Sequence, residues 1–226
     1  MRPLGRPRAV TAGHDPAVTE SRLRRSGGHA RRWSLTALFA WSALLAPPLY
    51  AVTSSPEQDL PLPASLQYSL LVRILGFDRK LPARSGSDVV IAVVYQAGFR
   101  ASQSMYQALE AAAAASPDTM VHGRRIRIVP VALGDTASAA RALAAHKASV
   151  LYLVPLRGVS VEELVREASA SGIMTVSGVA EYSRRGVAVS LVTRGERPHI
   201  TVDLRTARAA GIDFSAQLLS LVEVLR

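Results

Sequence analysis

The side chains of this sequence that could do chemistry are scattered. Three of the five histidines, His122, His146 and His199, lie beyond residue 51. None stands at the H-x-x-x-H or H-x-E spacing that brings two ligands to one metal. The chain has no cysteine, so thiolate nucleophiles, thiolate metal sites and disulfides are all absent. Serines are plentiful, yet no G-x-S-x-G elbow presents one at the top of a strand. Glu162-Glu163 falls in the first turn of an expected helix, where carboxylates favour the macrodipole; that structural role outweighs a general-acid one. The loop YQAGFRASQS (residues 95–104) has one glycine where G-x-G-x-x-G needs three, and no G-x-x-x-x-G-K-[ST] occurs, so nucleotide binding is not expected. Arg124-Arg125-x-Arg127 and Arg184-Arg185 lack the interleaved aromatics on which bases stack. They read as solvated faces, with anionic lipid or cell-wall polymer as the alternative partner. No catalytic, cofactor-binding or metal-ligating residue is expected.

The charge pattern points the same way. Residues 1–51 hold eight Arg against two acids and so supply +6 of the formal +10. The high isoelectric point is therefore a property of the N-terminal segment, and nucleic acid is not an expected partner. Arg24, Arg25, Arg31 and Arg32 precede the uncharged run Trp33 to Ala51, which Pro47-Pro48 breaks. The apolar stretch before Pro47 is fourteen residues, short of the roughly twenty that span a bilayer. A basic n-region, a short apolar core and a small residue at the end describe a secretory signal peptide over residues 1–51. No transmembrane span is expected in the mature protein. Residues 52–64 read as a polar, Pro-rich linker, and 65–226 as one domain large enough for a proper core.

Within that domain the periodicities alternate. Leu66, Leu70, Ile74 and Phe77 share one helical face, with Leu71 and Leu75 adjoining. Val89 to Tyr95 is a β-branched, buried strand, and Ser102 to Ala115 a helix. Arg124 to Val131 suits an edge strand, where Pro130 can lack its amide donor. Thr136 to His146 reads as a helix and Val150 to Val154 as a strand. Ser160 and Glu163 form a capping box for a helix ending at Gly172. Ile173 to Val176 is a strand, and Gly178 to Arg184 a short connector helix. The order implies an α/β fold: a mostly parallel sheet with helices on both faces. Such sheets hold ligands beyond the carboxyl ends of their strands. The candidate ligand loops are therefore Gln96–Gly98, Leu133–Thr136, Pro155–Gly158 and Ser177–Gly178.

The last forty residues are the most informative. Val187, Val189 and Leu191 alternate on one strand, Gly195 turns the chain, and Ile200, Val202 and Leu204 alternate on a second, antiparallel strand. Asp203 can cap a short helix that Gly211 ends. Asp213 can cap a closing helix with the stripe Phe214, Leu218, Leu221, Val222 and Leu225.

The segment DLRTARAAGIDFSAQLL (residues 203–219) resembles the C-terminal signature of the YfiR family. Leu204, Ala207, Gly211, Phe214, Ser215, Leu218 and Leu219 match it; Asp203 replaces the usual Asn and Val222 the usual Ala. Near the start of the domain, Tyr68, Leu71, Ile74, Phe77 and Pro82 loosely match the family's aromatic-rich segment, with GFDRKLP in place of its usual ending. The resemblance implies a periplasmic, non-catalytic regulator that forms homodimers. It also implies a partner, the sensory part of an inner-membrane diguanylate cyclase, which is held inactive so that cyclic di-GMP output and biofilm formation fall. Some relatives sit beside sensor kinases or transport systems, so a periplasmic small-ligand-binding module is the alternative. The signature residues are structural in this reading, and they leave the partner-binding surface unknown.

Overall fold

The computed structural model describes residues 62–226 except Asp135 and Glu196. The expected signal peptide, and the linker up to residue 61, lie outside the described residues. Leu62 is already buried, and the first helix, α1 (Ala64–Gly76), begins at once. A single turn, α2 (Leu81–Arg84), carries a proline in its opening positions, where a missing amide costs nothing. The parallel strands are β1 (Asp88–Tyr95), β3 (Arg124–Ala132), β4 (Val150–Leu153), β5 (Met174–Ser177) and β6 (Val189–Arg194). They lie in the order β3-β1-β4-β5-β6. The two-residue strand β2 (Met120–Val121) runs antiparallel along β3.

The placement of helices follows from that order. The chain passes from β1 to β3 in one direction across the sheet, then from β3 to β4 and on to β5 in the other. Right-handed crossovers consequently send the intervening helices to opposite faces. The helix after β1, α3 (Arg100–Ala115), packs beside α1 over Val89, Ile91, Val93, Val150 and Tyr152. The helices α4 (Thr136–Ala145) and α5 (Val161–Ala170) cover Ala92, Val94, Leu151 and Leu153 on the reverse face. β1 is buried on both sides, which is why its sequence is a continuous apolar run. Ser160 caps α5 as expected, its hydroxyl accepting from the Glu163 amide at 3.1 Å. The connector before β6 is a 3₁₀ turn, Ala180–Arg185, which ends at Gly186 with φ 82°.

The expected hairpin is present. β6 pairs antiparallel with β7 (Arg197–Asp203) around Gly195 at φ 62°. Asp203 caps α6 (Leu204–Ala209) by accepting from the Arg205 and Thr206 amides at 2.8 and 3.1 Å.

The C-terminal end and the core face of α1 both differ from the sequence expectations. The closing helix is one turn only, α7 (Ala216–Leu219), capped by Ser215 rather than Asp213. The Leu221 amide then donates to the Leu218 carbonyl, a tightened last turn. The chain leaves as a strand, β8 (Glu223–Leu225), parallel to β7. The stripe through Leu225 therefore does not exist, and β7 is not the sheet edge. The reason is the open edge of β7, whose unpaired backbone groups take up the Val-containing tail. Glu223 secures it, accepting from His199 Nε2 at 2.6 Å and pairing with Arg194 at 3.2 Å. On α1, the core face is centred on Leu71 and Leu75 rather than on Leu66, Leu70 and Phe77, which are only partly buried.

The corner between α1 and α2 is stitched to the C-terminal segment. Asp78 is fully buried, pairs with Arg84, and accepts from the Lys80 and Asp213 amides, each at 3.1 Å. Arg84 also donates to the Gly172 carbonyl at 2.8 Å. Asp78→Ala strands a largely buried guanidinium and two amides. It should lower unfolding free energy by roughly 3–5 kcal/mol in urea titration. Arg79→Ala, which removes an exposed pair with Asp213, should leave the midpoint nearly unchanged.

A second prediction concerns pH. The Glu223 carboxyl is held below its ordinary value of 4.5, chiefly by the hydrogen bond from His199 and then by the Arg194 charge. A depressed folded-state value stabilises the docked strand above that pH, and the contribution is lost as the pH falls through the folded-state value. NMR shifts of residues 223–225 should report undocking on acidification in the wild type. In Glu223→Gln they should show no such titration.

Candidate functional site

Three regions could carry function, and the first is the crevice at the carboxyl ends of β1 and β4, where the sheet order reverses. Ligands favour this position in open α/β sheets. Here the two loops close on each other. The Gln96 side-chain amide donates to the Arg157 carbonyl at 2.8 Å and accepts from the Arg157 amide at 2.7 Å. The Gln96 amide in turn donates to Ser102 Oγ at 2.9 Å. The Arg157 guanidinium lies 4.1 Å above the centre of the Phe99 ring. Two of the expected ligand loops, Gln96–Gly98 and Pro155–Gly158, are thus brought together, but their polar groups satisfy one another. In the Leu133–Thr136 loop, the Leu133 amide donates to the Tyr95 carbonyl.

Beside the crevice, a cavity of about 220 Å³ is lined by Gln67, Met105, Tyr152, Pro155, Gly178 and Val192, among others. This is where Ser177–Gly178 leads. Gln67 is fully buried; its Nε2 donates to the Leu62 carbonyl at 2.5 Å and its Oε1 accepts from the Tyr152 hydroxyl. A Cβ at position 178 would collide with the Gln67 carboxamide, so a larger residue there would displace Gln67 from its hydrogen bonds. Burial pushes the Tyr152 phenol well above its ordinary range, so it stays protonated and serves as a donor. The remaining lining is apolar.

The third region was not visible as a site in the sequence. Leu70 of α1, Phe77 at its C-cap, Ile200 of β7, and Leu218, Leu221 and Val222 line an apolar groove of about 480 Å³. Leu221 is 73% exposed. Its neighbours Leu70, Phe77 and Val222 are only partly buried against the core. A signal for it was present: α1 carries two overlapping apolar stripes, and the core needs only one. The stripe of Leu71 and Leu75 goes inward, and of the other stripe Leu70 and Phe77 are left for the groove.

The residues singled out for chemistry do not converge. His122 sits in the exposed β2–β3 turn at φ 49°, His146 is exposed just after α4, and His199 is on β7 against Glu223. Among the described residues, no group of three or more His, Asp or Glu side chains is placed to hold a metal ion. The sequence's basic clusters are largely spent on the fold. Arg124 donates to the Gly86 and Pro82 carbonyls, Arg127 pairs with Asp88 at 3.5 Å, and Arg185 pairs with Glu181 and Glu162. The seven signature residues serve packing and chain direction. Ala207, Phe214 and Leu218 are buried, Leu204 and Leu219 pack at the core margin, Gly211 turns at φ 68°, and Ser215 caps α7. No helix among the described residues is long and apolar enough to cross a membrane.

Comparison with known proteins places these features. Among solved structures, a conserved domain protein from Vibrio cholerae O1 biovar El Tor superposes with a TM-score of 0.50 at 17% identity. The match covers 74% of this chain and 61% of that one. The ABC domain in complex with L-Trp from Streptococcus pneumoniae gives 0.50 at 14% identity, covering 72% and 60%. This chain therefore spans about three fifths of either structure, and at such identities the likeness is one of fold. No curated protein matches the sequence. The family model described as YfiR/HmsC-like (DUF4154) matches residues 64–223, from the first residue of α1 into β8. The chain belongs to the YfiR/HmsC-like family.

Proposed function

We propose that this protein is a secreted, non-catalytic regulator that works by docking on another protein, the sensory part of an inner-membrane diguanylate cyclase. The observation that carries the reading is the apolar groove with Leu221 at its rim. Contiguous exposed apolar surface on a folded domain marks an interaction site. The crevice where a small ligand would bind is instead closed by Gln96 and Arg157. Membership of a family of periplasmic regulators supports the compartment and the role. The basic, apolar leader over residues 1–51 supports export by a signal peptide. The chain would act as a homodimer, as the family resemblance implies.

The mechanism is a population shift. A binder that makes more contacts with the inactive conformation of the cyclase raises the fraction of cyclase in that state, and it needs no reactive group to do so. Leu221 and Phe77 would bury against an apolar side chain of the partner, at roughly 25 cal/mol per Å² of apolar area removed from water.

The cavity behind Tyr152 supports a second reading, a periplasmic ligand-binding module for a compact, mostly apolar molecule. Two experiments separate the readings. Deletion of the gene should raise cyclic di-GMP. Wild-type protein should restore the level and co-purify with the cyclase, whereas Leu221→Asp should do neither while keeping its melting temperature. Unchanged cyclic di-GMP with no cyclase recovered would sink the docking proposal. A small-molecule thermal-shift screen then decides the alternative, since a ligand at a hundred times its Kd adds about 2.7 kcal/mol.

A further inference from the structure

The C-terminal segment that forms one wall of the apolar groove also forms a wall of a second depression, and this one is cationic. Arg205 and Arg208 of α6, with Arg226, surround about 590 Å³ over Leu204 and Leu219. Arg205 and Arg208 are three apart and so share a helix face. The return of the chain through β8 brings Arg226 to them. All three are exposed, and none pairs with a carboxylate among the described residues. Arg73, which lines the apolar groove itself, has no such partner either. The arginines around them differ: Arg79 faces Asp213 and Arg194 faces Glu223. Arg205 and Arg208 are like charges with no side-chain carboxylate paired to them among the described residues, and an anionic partner relieves their repulsion.

We infer that the partner's docking segment is acidic as well as apolar: an apolar side chain seats in the Leu70–Phe77–Leu221 groove, and flanking Asp or Glu carboxylates meet Arg73, Arg205, Arg208 and Arg226. The inference rests on the docking reading above and adds the chemistry of the partner. A protein segment is favoured over a lipid surface because it can present an apolar side chain and carboxylates to two depressions lined by different residues of one C-terminal stretch: Leu218, Leu221 and Val222 face the apolar slot, Leu219 and Arg226 the cationic one. Guanidinium groups suit carboxylates because they bind them in bidentate geometry.

The test uses the full mature protein and the purified periplasmic domain of the cyclase, with association followed at low and high sodium chloride. The variants are Arg205→Glu/Arg208→Glu and, separately, Leu221→Asp, with folding checked by circular dichroism. Charges at the rim of an interface act mainly on association rate and salt dependence. The arginine variant should therefore associate about tenfold more slowly and lose most of the salt dependence seen in the wild type. Leu221→Asp should weaken binding at both salt concentrations. If Leu221→Asp weakens binding while the arginine variant and salt have no effect, docking stands and the acidic partner is overturned. If neither variant alters binding, both readings fall. Adsorption of wild-type protein to phosphatidylglycerol vesicles that is lost in the arginine variant, with domain binding unaffected, would overturn the inference in favour of a lipid surface.

Discussion

A single buried charge pair holds this domain in its working shape. A carboxylate removed from water must be matched by a cation and by donors, or it costs several kcal/mol. Asp78 is matched by Arg84 and by the amides of Lys80 and Asp213. Its donors come from chain segments more than a hundred residues apart, and Arg84 extends the link to the carbonyl of Gly172. Around this pair the Phe77 carbonyl accepts from the Ser215 amide, and the Arg79 amide donates to the Asp213 carbonyl. The end of α1 and the start of the C-terminal turn are thereby held together. The groove consists of these two elements and β7, so the buried pair helps to position it.

The second organising fact is where polar groups are already spent. In the crevice at the strand ends, Gln96, Arg157, Gln67 and Tyr152 bond to one another or to backbone. A newcomer there would have to break bonds before making any. At the other end of the surface the situation is reversed. Leu221 is bare, and Arg205, Arg208 and Arg226 have no carboxylate among the described residues. Surface left unsatisfied by the fold is surface available to a partner, and here one C-terminal segment contributes to both parts of it.

Much of this was legible in the residues. The β-branched run of β1, the Ser160 cap, the Gly195 turn and the Asp203 cap each depend on neighbours within a few positions. Local rules suffice to read them. The closing helix was misread because Phe214, Leu218, Leu221 and Val222 satisfy helical spacing in a window where the competing interaction is remote. The deciding partner is the free edge of β7, and no local pattern announces it. The face of α1 was misjudged for a related reason. Its apolar arc is wide enough for two contacts, and periodicity alone does not say which stripe meets the sheet. Asp78 lies inside GFDRKLP, the stretch that departs from the family pattern, and nothing local marks it, because Arg84 and the Asp213 amide meet it only in the folded chain.

By itself, then, the sequence determined the order and type of the main elements up to α6, the parallel sheet with helices on both faces, the family, and the absence of any motif for catalysis or phosphate binding. These follow from short-range periodicity, capping and turn chemistry. Tertiary structure decided which apolar stripe was buried, that the tail became a strand, that the ligand crevice closed, and that Arg226 met Arg205 and Arg208. Those outcomes depend on groups brought together from opposite ends of the chain, whose energies are set by burial and pairing in three dimensions and leave no trace in local spacing.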